Sequence, residues 1–85
     1  MLVFYYILIM TVEEFEHKLS DNGWGWYCWS DLWGKENQEI SFPELNYFKQ
    51  DFSKINLNEV KVKYKDNNGK ETIVESEEEI LKLIN

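Results

Sequence analysis

The chain has 85 residues, of which 44% are hydrophobic and fourteen are aromatic, and its formal charge at pH 7 is −7. This length predicts one domain over residues 1–85, because so short a chain cannot hold a core and a deep active-site cleft together. The chain has sixteen acidic residues and nine lysines, and it has no arginine. This balance argues against direct binding to nucleic acid or to an anionic membrane, since both attract cations.

The first ten residues, MLVFYYILIM, form an apolar run. Leu2 to Ile9 is rich in β-branched and aromatic residues, which favours a strand buried on both faces. The alternative is that Met10 is the natural start and residues 1–9 are an upstream extension. The run lacks the positive segment of a signal peptide and has about half the length of a membrane span. These features predict a cytoplasmic protein.

Residues Thr11 to Ser20 have the pattern of an amphipathic helix. Thr11 and Glu14 have the spacing of a capping box, and Asp21 to Gly23 is a typical helix end. Three apolar side chains fall on one face of this helix and should be buried: Val12, Phe15 and Leu19.

Four tryptophans lie within ten residues, in the tract WGWYCWSDLW from Trp24 to Trp33. Positions 24, 26 and 28 alternate as in a strand, whereas positions 26, 29 and 33 repeat as in a helix. We predict a strand through Trp29, followed by a turn or a short helical turn from Ser30 to Trp33. One or two of the tryptophans should lie in the core, and at least one should be exposed.

The next segments alternate between polar and apolar character. Gly34 to Gln38 is predicted to be a polar loop, and positions 40 and 42 to lie in a brief strand. Pro43 suits the first position of a helix, which is predicted to run to Phe52 and to bury three side chains: Leu45, Phe48 and Phe52. Lys54 to Asn58 is predicted to be a connector.

The clearest feature is a β-hairpin over residues 60–75. Apolar residues alternate with lysines before the turn sequence Asn67-Asn68-Gly69, which is typical of a hairpin loop. A three-residue loop places Val62 opposite Val74 on the core side. On the other side the same register places Lys61 opposite Glu75 and Lys65 opposite Glu71. These pairs favour a lysine stripe that faces solvent over a site that binds phosphate.

A final helix is predicted after Ser76, which can cap it with Glu79 as the partner of a second capping box. Its core-facing side chains are Ile80, Leu83 and Ile84. The complete series of elements predicts an α+β fold, with a small antiparallel or mixed sheet of about four or five strands packed with about three short helices.

The sequence contains no convincing catalytic or metal-binding motif. Cys28 and His17 could form a nucleophile and a base, but no oxyanion motif lies near the cysteine. We therefore expect Cys28 to be a small buried residue and His17 to be a solvated helix residue. Glu77 to Glu79 is explained by the dipole of the last helix. We therefore expect no enzyme activity, no metal ion and no cofactor.

The remaining features indicate a protein partner. Tryptophan is enriched among the residues that dominate binding energy, and acids speed the approach to a basic surface. The candidate binding residues are the four tryptophans and the acids least committed to the fold: Trp24, Trp26, Trp29, Trp33, Glu13, Glu16, Asp21, Asp31, Glu36 and Glu44. A second copy of the chain is the alternative partner, as a homodimer.

In size, charge and composition alone, the chain is similar to small acidic proteins with which phages block host enzymes, including DNA mimics and anti-CRISPR proteins. This likeness assigns no residue, but it implies an inhibitor that covers a basic surface of a host enzyme that handles nucleic acid. The cytoplasm of a bacterium or of a phage-infected host is then the expected location. The alternative function is an oligomerisation module or an accessory subunit.

Overall fold

The computed structural model describes residues 10–84, so the strand predicted at Leu2 to Ile9 lies outside the described residues. Within residues 10–84, five strands form one antiparallel meander in chain order, and the predicted α+β class is confirmed. The strands are β1 (Gly25–Tyr27), β2 (Leu32–Lys35), β3 (Gln38–Ser41), β4 (Val62–Lys65) and β5 (Glu71–Val74).

Helix α1 (Val12–Asp21) precedes the sheet and helix α2 (Glu77–Lys82) follows it. Two 3₁₀ turns, Phe52–Lys54 and Leu57–Glu59, lie between β3 and β4. The described part of the chain therefore contains two α-helices, where the sequence predicted about three.

Helix α1 has the predicted caps. The Glu14 N–H donates to Thr11 Oγ1 at 3.1 Å, and the Thr11 N–H donates to Glu14 Oε1 at 2.9 Å. The helix ends at Asn22, and Gly23 has a φ of +88°, a conformation that a glycine adopts without strain. The predicted apolar face is fully buried.

The predicted connector after Lys54 holds the start of α1 in place. The Val12 N–H donates to the Ile55 carbonyl at 2.8 Å, and the Leu57 N–H donates to the Met10 carbonyl at 2.6 Å. The Leu57 side chain is fully buried. This segment therefore contributes both backbone pairing and core packing, which a polar connector would not.

The core lies between the sheet and α1, and both ends of the described chain contribute to it. Its buried hydrophobic residues are Val12, Phe15, Leu19, Trp24, Ile40, Phe42, Phe52, Leu57, Val60, Val62, Val74, Ile80 and Ile84.

The β4–β5 hairpin has the predicted register, with Val62 opposite Val74 and Lys65 opposite Glu71. The predicted ion pair between Lys61 and Glu75 is present at 3.8 Å. Glu71, however, pairs diagonally with Lys63 at 3.2 Å. The diagonal geometry is within reach of a long side chain on a twisted pair of strands.

Helix α2 begins after Ser76 as predicted, with the Glu79 N–H donating to Ser76 Oγ at 3.2 Å. The predicted capping box is only half formed among the described residues, because the Glu79 side chain does not accept from the Ser76 N–H. Ile80 and Ile84 are buried, and Leu83 is half-buried. The Met10 N–H donates to Glu77 Oε1 at 2.8 Å, so α2 is joined to the residue that precedes α1.

The prediction for the tryptophan tract was wrong in its boundaries. The first strand ends at Tyr27, and residues from Leu32 onward form β2, where a turn or a helical turn was expected. Trp26 lies directly opposite Trp33. The tract is therefore a hairpin that pairs with itself, and its reversal needs neither Pro nor Gly because Asp31 adopts a φ of +51°.

The loop predicted over Gly34 to Gln38 was also wrong. Gly34 and Lys35 belong to β2, and Gln38 begins β3, so the turn between these strands is only Glu36 and Asn37. Glu36 has a φ of +57°. A glutamate in this conformation is uncommon, so the residue types at this position do not predict so tight a turn.

The helix predicted from Pro43 to Phe52 is absent from the described residues, which form turns there. Asn46 Oδ1 accepts from the Phe48 N–H at 2.9 Å, and Gln50 Oε1 accepts from the Asn46 N–H at 2.6 Å. Such side-chain bonds compete with the backbone bonds of a helix. Phe52 is buried as predicted, Leu45 is half-buried, and Phe48 is 92% exposed.

On the sheet face away from the core, the Tyr27 ring covers Gly34. A Cβ atom built on Gly34 would lie 2.2 Å from Tyr27 Cε2, whereas one built on Gly25 would meet its nearest neighbour at 3.9 Å. Both glycines lie in the paired strands β1 and β2. An aromatic ring packed on a strand glycine covers backbone that would otherwise be bare.

Gly34→Ala should therefore displace the Tyr27 ring, whereas Gly25→Ala should be accommodated. We expect Gly34→Ala to be less stable than Gly25→Ala by about 1 kcal/mol, measured by urea denaturation. In a Tyr27→Ala background the difference should vanish. A difference that persists without the ring would contradict this account.

Candidate protein-binding surface

A continuous series of aromatic contacts runs from the core to the surface. Its ring centroids lie 4.5 to 6.5 Å apart, within the range of favourable aromatic pairs. The series is Phe15, Phe42, Phe52, Tyr47, Trp26 and Trp33. Its first members are buried, whereas Trp26 is 36% exposed. The exposed rings are therefore held in place by packing against the core.

The outer end of this series lines an open depression of about 500 Å³. We call it the aromatic depression, and its lining residues are Glu16, Trp26, Cys28, Asp31, Trp33, Tyr47 and Phe48. They come from α1, from the β1–β2 hairpin and from the turns between β3 and β4. The depression thus joins parts of the chain that are distant in sequence.

Glu16 is fixed in the wall of the depression. The Trp33 Nε1–H donates to Glu16 Oε2 at 2.9 Å. Burial raises the pKa of the Glu16 carboxyl above its ordinary value, and the hydrogen bond from Trp33 opposes this rise. Glu16 was predicted to be free of the fold. That part of the prediction was wrong, because this carboxylate connects α1 to β2.

Tyr47 lies beside Glu16 in the same wall. Burial raises the pKa of its hydroxyl far above the ordinary value, and the nearby Glu16 charge adds to the rise. The Tyr47 Oη atom is buried and has no hydrogen-bond partner within residues 10–84. A buried hydroxyl without a partner is costly, and the Glu16 carboxylate is the neighbouring acceptor toward which it can turn.

The turn from Cys28 to Asp31 forms the rim. Trp29 is 96% exposed, although a tryptophan normally loses much of its surface on folding. Cys28 was predicted to be buried, and this was wrong, because the turn carries its side chain into solvent. Asp31 is also exposed, so this turn carries both an exposed indole ring and an exposed carboxylate.

The other candidate residues are distributed around the molecule. Trp24 is 4% exposed and belongs to the core, which removes it from the candidate surface. Glu13 lines a neighbouring depression of about 380 Å³ together with Glu16, His17, Ser20 and Trp33. Three further acids are exposed and do not line the aromatic depression: Asp21, Glu36 and Glu44. As expected, the tract divides into core and exposed tryptophans.

The sequence did not identify Tyr47 and Phe48 as surface residues. A helical pattern placed Phe48 in the core, but the segment forms turns, in which Tyr47 packs against Phe52 and Phe48 is exposed. The side-chain bonds of Asn46 fix this segment in turns.

Among residues 10–84, no group of three or more histidine, cysteine, aspartate and glutamate side chains is placed to hold a metal ion. No helix in the described part of the chain combines the length and the apolar character needed to cross a bilayer. Comparisons with known protein families, with curated proteins and with solved structures found no match to this chain.

Two replacements of Glu16 should distinguish the effect of its charge on stability from the effect of its hydrogen bond. Glu16→Gln keeps an acceptor for the Trp33 indole and removes a half-buried charge, so its stability at pH 7 should equal or exceed that of the unaltered chain. Glu16→Ala should lower the free energy of unfolding by about 1–3 kcal/mol, because the indole N–H loses its acceptor. Urea denaturation measures both effects.

The same variants predict a pH dependence. A carboxyl whose pKa is raised by folding contributes stability at acidic pH, and this contribution is lost as the pH rises through the folded-state pKa. The advantage of Glu16→Gln should therefore be absent below 4.5, the ordinary pKa of the carboxyl, and should appear as the pH rises toward neutrality. A Gln variant that is less stable than the unaltered chain at pH 7 would contradict this.

Proposed function

We propose that the chain is a non-catalytic protein that binds a basic surface of a nucleic-acid-handling protein and thereby blocks it. The observation that carries this proposal is the exposure of Trp29 and Phe48, at 96% and 92%, beside the acid-lined aromatic depression. Large aromatic side chains that the fold leaves exposed to solvent are typical anchors of a protein interface.

The aromatic side chains supply the lasting contact. Burying a tryptophan removes a large apolar surface from water, and aromatic anchors at the centre of an interface each contribute about 2 kcal/mol or more. Trp26 and Trp33 need little ordering on binding, because they already pack at a centroid distance of 5.5 Å. A rigid surface loses less conformational entropy when it binds.

The charge distribution favours a basic partner. The hairpin acids Glu71 and Glu75 are paired with lysines. Within residues 10–84, the ion pairs are formed by Asp51, Glu71, Glu75 and Glu78, and none involves an acid beside the aromatic depression. Glu13, Glu16 and Asp31 lie near the exposed aromatics. A net charge of −7 attracts a basic groove over a long range and accelerates association.

A second copy of the chain is a less favourable partner for the same surface. Two copies would bring their acids together, and like charges across an interface oppose association. Analytical ultracentrifugation measures whether the chain forms a dimer through the aromatic depression and its rim. A stable dimer that is lost on Trp29→Ala would favour the oligomerisation module over the inhibitor.

The test is competition for a partner captured from a bacterial lysate and then purified. Binding of the chain should displace nucleic acid from that partner, and it should weaken steeply with added salt. Trp29→Ala should raise the Kd by about 30-fold, mainly through faster dissociation. Charge reversal at Glu13 and Asp31 should instead slow association.

Ile73→Ala is the matched control. Ile73 is 51% exposed and lies on β5, at the other edge of the sheet, so its loss should leave the affinity unchanged. Equal effects of Trp29→Ala and Ile73→Ala would show that the aromatic surface is not the interface. Binding that resists high salt, or leaves the nucleic acid in place, would overturn the proposed inhibition.

A further inference from the structure

The aromatic depression combines aromatic rings with carboxylates. Its walls are the rings of Trp26, Trp33, Tyr47 and Phe48, which offer apolar area and π-electron density. Its polar groups include the carboxylates of Glu16 and Asp31, and none of its lining residues in the described chain is a cation. The depression therefore suits a guest with a positive head and an apolar stem.

The polar atoms in the wall need hydrogen-bond donors. Glu16 Oε2 accepts from Trp33 at 2.9 Å, and a carboxylate has about four lone-pair sites, so it can accept from further donors. Asp31 is exposed at the rim. A guest that carries several donors could satisfy these acceptors together.

We propose that the aromatic depression binds an arginine side chain of the partner protein. This proposal rests on the proposed protein-binding function and specifies its central contact. A guanidinium has five donors in a planar fork, stacks on aromatic rings and is more weakly hydrated than an ammonium, so it loses less hydration than lysine on entering an aromatic site. Its three-carbon stem packs against the rings.

The sequence excludes a second copy of this chain as the source of the guest. All nine basic residues are lysines, and the chain contains no arginine. An arginine in the depression must therefore come from a different protein. Surfaces that bind nucleic acid are rich in arginine, which agrees with the class of partner proposed above.

The first experiment uses the peptide acetyl-Gly-Arg-Gly-amide as the probe. Nuclear magnetic resonance resolves the indole N–H of each tryptophan, and the signals of Trp26 and Trp33 should shift with a saturable Kd on the order of 1 mM. The signal of Trp24, which is buried in the core, should not move. The same peptide with citrulline, which keeps the shape but lacks the charge, should not bind.

Two conservative variants test the carboxylates. Glu16→Gln and Asp31→Asn should each weaken the peptide by about fivefold, which corresponds to about 1 kcal/mol. Asp31 has a φ of +51°, a conformation that asparagine also tolerates, so the turn should persist. Glu75→Gln removes the same charge from the distant hairpin and should leave the affinity unchanged. A lysine peptide should bind more weakly than the arginine peptide.

The arginine assignment is overturned if the citrulline peptide binds equally well, if only Trp29 responds, or if Glu75→Gln has the same effect as Asp31→Asn. A lysine peptide that binds more tightly would overturn the choice of guanidinium. Each of these results leaves the competition experiment on the captured partner intact. Conversely, a partner that keeps its nucleic acid would refute the inhibition while the arginine site stands.

Discussion

The aromatic series from Phe15 to Trp33 is the packing interaction on which the rest of the structure depends. The segment between β3 and β4 has little regular secondary structure of its own, and Tyr47 holds it by packing between Phe52 and Trp26 at centroid distances of 4.5 and 4.7 Å. The same contacts support the outer tryptophans. A small domain has few buried residues to stabilise it, so one series of rings serves both the core and the surface.

The Glu16 side chain adds a polar group to the outer end of this series. By accepting from the Trp33 indole, it fixes the ring edge toward α1 and places a carboxylate among aromatic walls. Burying part of that charge raises the pKa of the Glu16 carboxyl. In contrast, the acids of the β4–β5 hairpin are exposed and lie beside lysines, as on an ordinary soluble surface.

The parts of the fold that were predictable have strong local signals. Thr11 and Glu14 identify the start of α1, and the alternation around Asn67 to Gly69 sets the register of β4 and β5. The candidate site was only partly predictable: Glu16, Trp26, Asp31 and Trp33 were predicted binding residues and line the aromatic depression, but Trp24 lies in the core, and Phe48 was placed there by the sequence pattern. Its exposure depends on competition between the side-chain bonds of Asn46 and a helix, which periodicity does not reveal.

The tight turns at Asp31 and Glu36 were missed for a related reason, because each has a positive φ without being glycine. Their conformations are favoured by the pairing of β1, β2 and β3 on either side, a tertiary influence that overrides local preference. Sequence patterns therefore located the elements that cap or alternate, and failed where packing decided the backbone.

The meander topology also determines the order in which the chain can assemble. Every strand of the described sheet pairs with its neighbour in sequence, so β1, β2 and β3 can form by closing short loops, and β4 and β5 can do the same. Joining the two groups requires closure of residues 42–61, which is entropically more costly. Tyr47 lies within that loop and packs against Trp26 of β1, so this contact links the loop to the first group of strands and offsets part of the entropy lost on closure.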